Sequence, residues 1–275
     1  MKTIRQAVAE AAQRLHGEYA ARDAELLLMH AVGITRASVL ANPQRELSHE
    51  EKARFDTMVA ERATGKPIQH ITGTQEFFGL AFVVNQDVLI PRPETEHLVA
   101  EVIARLPKDR AVKIADVGTG SGAIAVALAH AMPLAQVTAL DISPAALDVA
   151  ARNAAANGVA ERVRFLQSEL LDACAGEVFD AIVSNPPYIA DSEILEKQVC
   201  EFEPPLALFA GSTGYEIYER LIPRAWNSLQ AGGLLALEMG FGQSVRVAEL
   251  LRAWRCVELV DDLQGIPRVA LAQRV

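Results

Sequence analysis

The sequence predicts an α/β protein in which a parallel sheet, covered by helices on both faces, follows a small all-helical unit and a β-hairpin. Three observations carry that prediction. Residues 1–75 show apolar spacing of helical period only. From Asp109 onward, short β-branched runs alternate with helical stretches, as in a sheet buried on both sides. Two of those runs end in turns of unusual composition, Gly118–Gly122 and Asn185–Tyr188, at strand ends where such sheets place their chemistry.

The helical unit opens with Ile4, Val8, Ala12 and Leu15 on one stripe and continues with Ala24, Leu27, Leu28 and Ala31. A further helix starts at Ser48, where Ser48 and Glu51 have the spacing of a capping box, and Phe55, Met58 and Val59 follow on one face. His16, His30, His49 and His70 are scattered and form no chemical grouping. Residues 1–75 therefore read as a domain that recognises a partner.

From Pro67 the period changes. Residues 77–84 and 88–90 alternate around Asn85-Gln86-Asp87, which predicts a β-hairpin linker over residues 76–90. Pro91-Arg92-Pro93 then restricts the backbone and opens a helix with Leu98, Val99, Val102, Ile103 and Leu106 on one face; Glu94 and Glu96 are favourable at its N-terminus. Arg92 and Glu94 either form a surface ion pair of little energetic weight or line a site, and their spacing favours the ion pair. Residues 91–275 form the α/β domain.

Its strands are predicted at 112–117, 137–140 and 163–166, in a run ending at Asn185, and at 233–238, with an antiparallel pair at 256–260 and 268–272 closing the sheet. Ser143 caps a helix with Pro144 at its first position, and Asn157-Gly158 ends it. Another helix is predicted over 214–229.

Bulk properties exclude several classes. No apolar run approaches the ~20 residues of a membrane span, and the N-terminus lacks a signal-peptide core, so a soluble cytoplasmic protein is expected. Cys174, Cys200 and Cys256 are far apart and ungrouped, which predicts reduced structural thiols and no metal site. The ten Lys/Arg and nine Asp/Glu of residues 1–75 leave 16 against 26 in the remainder. So acidic a domain repels a phosphate backbone, and no nucleic-acid partner is expected.

A glycine loop after the first strand of the sheet, with an acid ending the second, is a nucleoside-binding pattern in which the acid accepts hydrogen bonds from ribose hydroxyls. Here the loop is Gly118-Thr119-Gly120-Ser121-Gly122 and the acid Asp141. The spacing lacks the third glycine of a pyrophosphate site, and there is no Walker lysine, which disfavours NAD and ATP. An adenosine carried without phosphates fits better, and S-adenosylmethionine is such a molecule.

Asn185-Pro186-Pro187-Tyr188 supplies the acceptor end. Two prolines remove two backbone donors and stiffen the turn, leaving carbonyls exposed, while Asn185 adds an oxygen acceptor and Tyr188 an aromatic face. A planar –NH2 group fits that corner. Its nitrogen is a poor nucleophile because the lone pair is delocalised. The Asn185 oxygen and the Pro186 carbonyl, holding both hydrogens, would direct the nitrogen towards a sulfonium methyl and stabilise the positive charge that develops on it.

With both motifs located, the chain resembles the release factor glutamine methyltransferases, the PrmC/HemK family. The resemblance runs over nearly the whole length, through Phe77-Phe78-Gly79-Leu80, residues 89–96, residues 116–122, Ser184-Asn185-Pro186-Pro187-Tyr188-Ile189, Phe202-Glu203-Pro204 and Gly265-Ile266-Pro267-Arg268-Val269. It implies a helical N-terminal domain, a hairpin linker and a seven-stranded, Rossmann-like S-adenosylmethionine-dependent methyltransferase domain. It also implies methylation of the glutamine of the Gly-Gly-Gln loop in class-1 peptide release factors, with S-adenosylhomocysteine as product. Carried over by position, Gly118, Thr119, Gly120, Ser121, Gly122, Asp141 and Asn185 contact the cofactor, and Asn185, Pro186, Pro187 and Tyr188 hold the glutamine amide. Glu169-Leu170 falls beside the adenine, with glutamate where the family usually has aspartate. A monomer is expected. The rival readings are a glutamine methyltransferase acting on a ribosomal protein, an adenine-amino DNA methyltransferase, which the acidic surface disfavours, and a cofactor-binding scaffold without activity.

Overall fold

The computed structural model describes residues 2–275. Contacts divide the chain into two units. One extends to Gly73 and takes in Glu196–Phe202; the other comprises Thr74–Leu195 and Glu203–Val275.

The first unit is helical: α1 (Ile4–Leu15), α2 (Ala20–Val32), α3 (Arg36–Ala41), α4 (His49–Ala63) and α5 (Ile68–Thr72). Its apolar stripes meet in a core of its own, with Leu27, Leu28, Phe55 and Val59 fully buried. The predicted capping box is formed, with the Glu51 amide donating to Ser48 Oγ at 3.1 Å and the Ser48 amide to Glu51 Oε2 at 2.9 Å. The short helices α3 and α5 were not legible from periodicity, because five or six residues make too few turns to display it.

The second unit begins with β1 (Thr74–Phe77) and β2 (Leu80–Val83), an antiparallel hairpin in register Thr74↔Val83. This corrects the sequence expectation, which paired 77–84 with 88–90. The turn is Phe78-Gly79, both at positive φ (52° and 75°), the two-residue geometry that suits the twist of a hairpin. A phenylalanine at positive φ is uncommon, so the sequence did not advertise a turn there. The Phe78 amide donates to Glu96 Oε1 at 2.9 Å, which helps to hold it. Residues 88–90 form no strand.

There follow α6 (Thr95–Arg105), β3 (Val112–Val117), α7 (Ala123–Ala131), β4 (Ala135–Asp141), α8 (Pro144–Ala156), β5 (Val163–Gln167), β6 (Phe179–Ser184) and β7 (Ile189–Ala190). The chain continues through α9 (Lys197–Phe202), which belongs to the helical unit, then β8 (Phe209–Gly211), α10 (Glu216–Ser228), β9 (Leu229–Glu238), α11 (Ser244–Leu250), β10 (Arg255–Asp261) and β11 (Pro267–Gln273). Seven strands form the central sheet in the order β10-β11-β9-β6-β3-β4-β5, antiparallel only where β11 meets its neighbours. Alternate residues feed two cores: Ala181, Val183, Leu234 and Ala236 face one, while Ile182, Leu235 and Leu237 face the other.

Strand order reverses between β3 and β6. At such a point the connections leave in opposite directions and a crevice opens beyond the carboxyl ends of the strands. Among the described residues no helix is long and apolar enough to cross a membrane. Of the three free thiols, Cys174 is buried as expected, but Cys200 and Cys256 are exposed and carry no core.

Gly122 determines how closely α7 and α8 approach. A Cβ there would lie 2.9 Å from the Ala150 Cβ, and its φ is +79°. Gly122→Ala is expected to cost about 1–3 kcal/mol of unfolding free energy through combined overlap and backbone strain. Urea titration checks this, and Ala150→Gly in the same chain should recover only the overlap.

Candidate active site

The carboxyl ends of β3, β4, β5 and β6 surround a cavity of about 250 Å³, lined in part by Gly118, Gly120, Asp141, Ile142, Glu169, Leu170, Asn185, Pro186 and Pro187. The loop after β3 is fixed by β4, since the amides of Gly118 and Thr119 both donate to the Leu140 carbonyl, at 2.8 and 2.9 Å. Asp141 completes the attachment. Its Oδ2 accepts from the Gly120 amide at 2.8 Å and its Oδ1 from the Ser143 amide at 2.9 Å. Burial raises the Asp141 pKa, and these amides oppose the rise.

Gly118 and Gly120 lie at φ +73° and +54°, and a Cβ on either would meet nothing within 4 Å. Bare backbone therefore opens directly onto the cavity. With Asp141 as acceptor and the apolar Leu170 and Ile142 beside it, the lining fits a nucleoside; Ile142 is 44% exposed, although it follows a buried strand. In the sequence, the only signal for Ile142 is an apolar residue directly after the candidate ribose acid.

Three residues of the loop do not line the cavity. Thr119 and Ser121 are buried, Thr119 Oγ1 donates to Asp116 Oδ2 at 2.6 Å, and Gly122 packs on α8. They shape the loop from behind. Ser121 is held through its carbonyl by Asn153 Nδ2 at 2.8 Å; Asn153 also exchanges hydrogen bonds with both backbone groups of Val83, tying the hairpin to the loop. Asn153 was missed because a polar residue on an alanine-rich helix reads as exposed.

Glu169 reaches the rim, where its carboxylate pairs with Arg220 of α10. Arg92 is paired with the buried Glu203, not with Glu94 as the spacing suggested, and Glu203 also accepts from the Ile90 amide at 3.0 Å. That buried carboxylate clamps the proline segment to the chain after α9.

On the other side of the cavity, Ser184 Oγ donates to the Val117 carbonyl at 2.6 Å, binding the ends of β6 and β3 together. Asn185 follows. Its Nδ2 donates to Thr95 Oγ1 at 3.1 Å, and among the described residues no group donates to its oxygen. Pro186 and Pro187 line the cavity, whereas Tyr188 lies behind it, its ring against Gly240 and its carbonyl accepting from Gln243 Nε2 at 2.9 Å. Burial pushes the Tyr188 hydroxyl up to about 12, so it remains protonated.

Comparison with known proteins now decides the family. A family model described as PrmC N-terminal domain matches residues 6–73, and one described as methyltransferase small domain matches residues 98–204. The chain is 46% identical over 254 residues to the release factor glutamine methyltransferase of Koribacter versatilis, covering 91% of this chain and 90% of that one. It is 40% identical to the Escherichia coli protein of the same name, covering 92% and 91%. The chain belongs to the release factor glutamine methyltransferase family.

Solved structures give the fold. A Thermus thermophilus 16S rRNA N2 G1207 methyltransferase, in complex with AdoMet and guanosine, superposes with a TM-score of 0.54 at 18% identity, covering 74% of this chain and 50% of that one. A methyltransferase from Pyrococcus furiosus gives 0.53 at 19%, covering 72% and 90%. The helical unit of this release factor glutamine methyltransferase family member coincides with the PrmC N-terminal match, and the sheet carries the cavity.

Asp116, at the end of β3, is fully buried beneath the loop. Its Oδ2 accepts from Thr119 and from the Ala125 amide at 3.1 Å, and Oδ1 has no partner. Burial, reinforced by Asp141, pushes its pKa up to about 7. The folded protein thus keeps a proton that the unfolded chain releases near pH 4, and the stability this confers is lost as pH rises through about 7. Asp116→Asn does not titrate. Between pH 5 and pH 8 the stability of the variant relative to wild type should therefore rise by about 1–3 kcal/mol, measured by urea unfolding at both pH values.

Proposed function

We propose that this protein transfers a methyl group from S-adenosylmethionine to the side-chain amide nitrogen of the glutamine in the Gly-Gly-Gln motif of class-1 peptide release factors. The observation that carries the reading is the orientation of Asn185. With its NH2 end committed to Thr95, its oxygen is left as an acceptor at the rim of a cavity suited to a nucleoside.

The cofactor, when bound, supplies a methyl group on a cationic sulfur and leaves as S-adenosylhomocysteine. Gly118 and Gly120 would let it approach the backbone, Asp141 would accept from its ribose hydroxyls, and Ile142 and Leu170 would cover the adenine. Asn185 Oδ1 and the Pro186 carbonyl would take the two hydrogens of the substrate amide. Held in this way, the nitrogen is pyramidalised towards the methyl donor, and the charge that develops on it meets two fixed dipoles in a partly dry site. Tyr188 acts from behind, because its packing against Gly240 stiffens the turn. No side-chain base is required, because the nitrogen becomes strongly acidic once it carries the methyl group and its excess proton passes to water as the product leaves.

Asn185→Ala is expected to lower kcat by ~10²–10³ while leaving the KM for release factor within a few-fold. The assay uses labelled S-adenosylmethionine, purified release factor and mass mapping of the product. Near-normal turnover would reduce the corner to a turn, and label on a ribosomal protein or on DNA instead would redirect the substrate. Asp141→Ala should weaken cofactor binding by ~1–3 kcal/mol in calorimetry.

The helical unit is proposed to recognise the release factor, having a core of its own and no acidic or glycine-rich anchor for a cofactor. Its exposed apolar residues Tyr19 and Leu40 are the first to test. Tyr19→Glu with Leu40→Glu should raise KM for release factor several-fold with kcat and cofactor affinity unchanged. Unchanged KM would place recognition elsewhere.

A further inference from the structure

Glu238 ends β9 in the interior. It is 2% exposed, and its Oε2 has no hydrogen-bond partner. A buried carboxylate without a compensating cation is costly and is retained only where something offsets the cost. The side chains of Thr95 and Asn185, the two groups that set the orientation of the corner, face the Glu238 carboxylate and favour its ionised form. Thr95 is itself buried, at the first position of α6. The other charged or titratable groups facing this carboxylate are Glu94, Arg268, Tyr188 and Tyr218. Arg268 is shared with Asp262 at 3.1 Å, and the Tyr218 hydroxyl donates to the Glu238 backbone carbonyl at 2.8 Å, so neither neutralises it fully.

We propose that Glu238 and Thr95 are positioning residues for methyl transfer: through the Thr95 hydroxyl, the Glu238 carboxylate determines which end of the Asn185 amide faces the cavity. This rests on the reading of Asn185 as the acceptor for the substrate amide. A threonine hydroxyl has one proton to give and lone pairs to receive. When an ionised carboxylate takes that proton, Oγ1 can only accept from Asn185, which fixes NH2 inward and oxygen outward, as observed at 3.1 Å. A protonated carboxyl donates to Oγ1 instead and frees the hydroxyl proton for the Asn185 oxygen. The amide then turns over and presents a donor to the cavity, the wrong polarity for holding an –NH2 group.

Glu238 must therefore be ionised for turnover. Burial, with Glu94, pushes its pKa up to about 7, while Thr95, Asn185 and Arg268 oppose the rise. The ionised fraction grows as pH rises through that value, and kcat should grow with it.

The test is steady-state kinetics with release factor and S-adenosylmethionine for wild type, Asn185→Ala, Glu238→Gln, Thr95→Val and Thr95→Ser. Glu238→Gln and Thr95→Val should each lower kcat by about ten- to a hundredfold, the scale of a misplaced reacting group. KM for release factor and calorimetric cofactor affinity should remain within about threefold. Thr95→Ser, which keeps the hydroxyl, should recover most of the rate, and Glu238→Gln should lose the rise in kcat near pH 7. Wild-type kcat in Glu238→Gln and Thr95→Val, or a rise near pH 7 that survives Glu238→Gln, overturns the proposal while a slow Asn185→Ala leaves the parent reading standing. Parallel loss of kcat, cofactor affinity and melting temperature also overturns it, in favour of a purely structural role. If Asn185→Ala turns over normally, the parent reading fails first.

Discussion

Two consecutive amides at the end of β3 donate to one acceptor, the carbonyl of Leu140 on β4, and the next acid along β4, Asp141, takes the Gly120 amide. Nearly everything at the site follows from that attachment. The loop cannot continue as a strand, so it turns over the sheet edge with Gly118 and Gly120 in the left-handed region and their open sides towards the cavity. Gly122 then starts α7 and lets it pack against Ala150, while Asn153, three residues further along α8, reaches back to Ser121 and the hairpin. Donor-side geometry is therefore a property of β4 and α8 as much as of the glycine loop.

The acceptor side depends on β6. Ser184 is tied to the end of β3, so the turn that follows starts from a fixed point at the reversal of strand order. Prolines stiffen it, and Thr95 at the start of α6 holds the Asn185 amide. The Arg92–Glu203 pair and the Glu203 contact with the Ile90 backbone fix the segment that delivers α6. In this way a stretch 90 residues upstream of Asn185 bears on the orientation of its side chain.

Two carboxyls, Asp116 and Glu238, are buried with an unpartnered oxygen apiece, and burial pushes both up to about 7. A protein selected only for stability would replace them, since an isolated buried charge costs several kcal/mol. Asp116 lies one residue from the carboxyl end of β3 and Glu238 is the last residue of β9, both behind the turns that make the site. Strain of this kind concentrates where function requires it.

The sequence by itself determined the α/β class, the helical first quarter, the strands of the central sheet and both motif-bearing turns, because each rests on local periodicity or on residues with unusual backbone preferences. It also determined the family, through motifs spread over nearly the whole chain. Only the tertiary structure decided which side chains meet. The hairpin register turned on a phenylalanine at positive φ, which no propensity favours. The partner of Arg92 is 111 residues away at Glu203, not two residues away at Glu94. Thr119, Ser121 and Gly122 face inward although they share a motif with Gly118 and Gly120, and Asn153, Thr95 and Glu238 act across elements that sequence spacing does not relate. Local structure follows from short-range sterics and patterning, whereas the contacts that set the polarity of the site are long-range and exist only once the sheet is assembled.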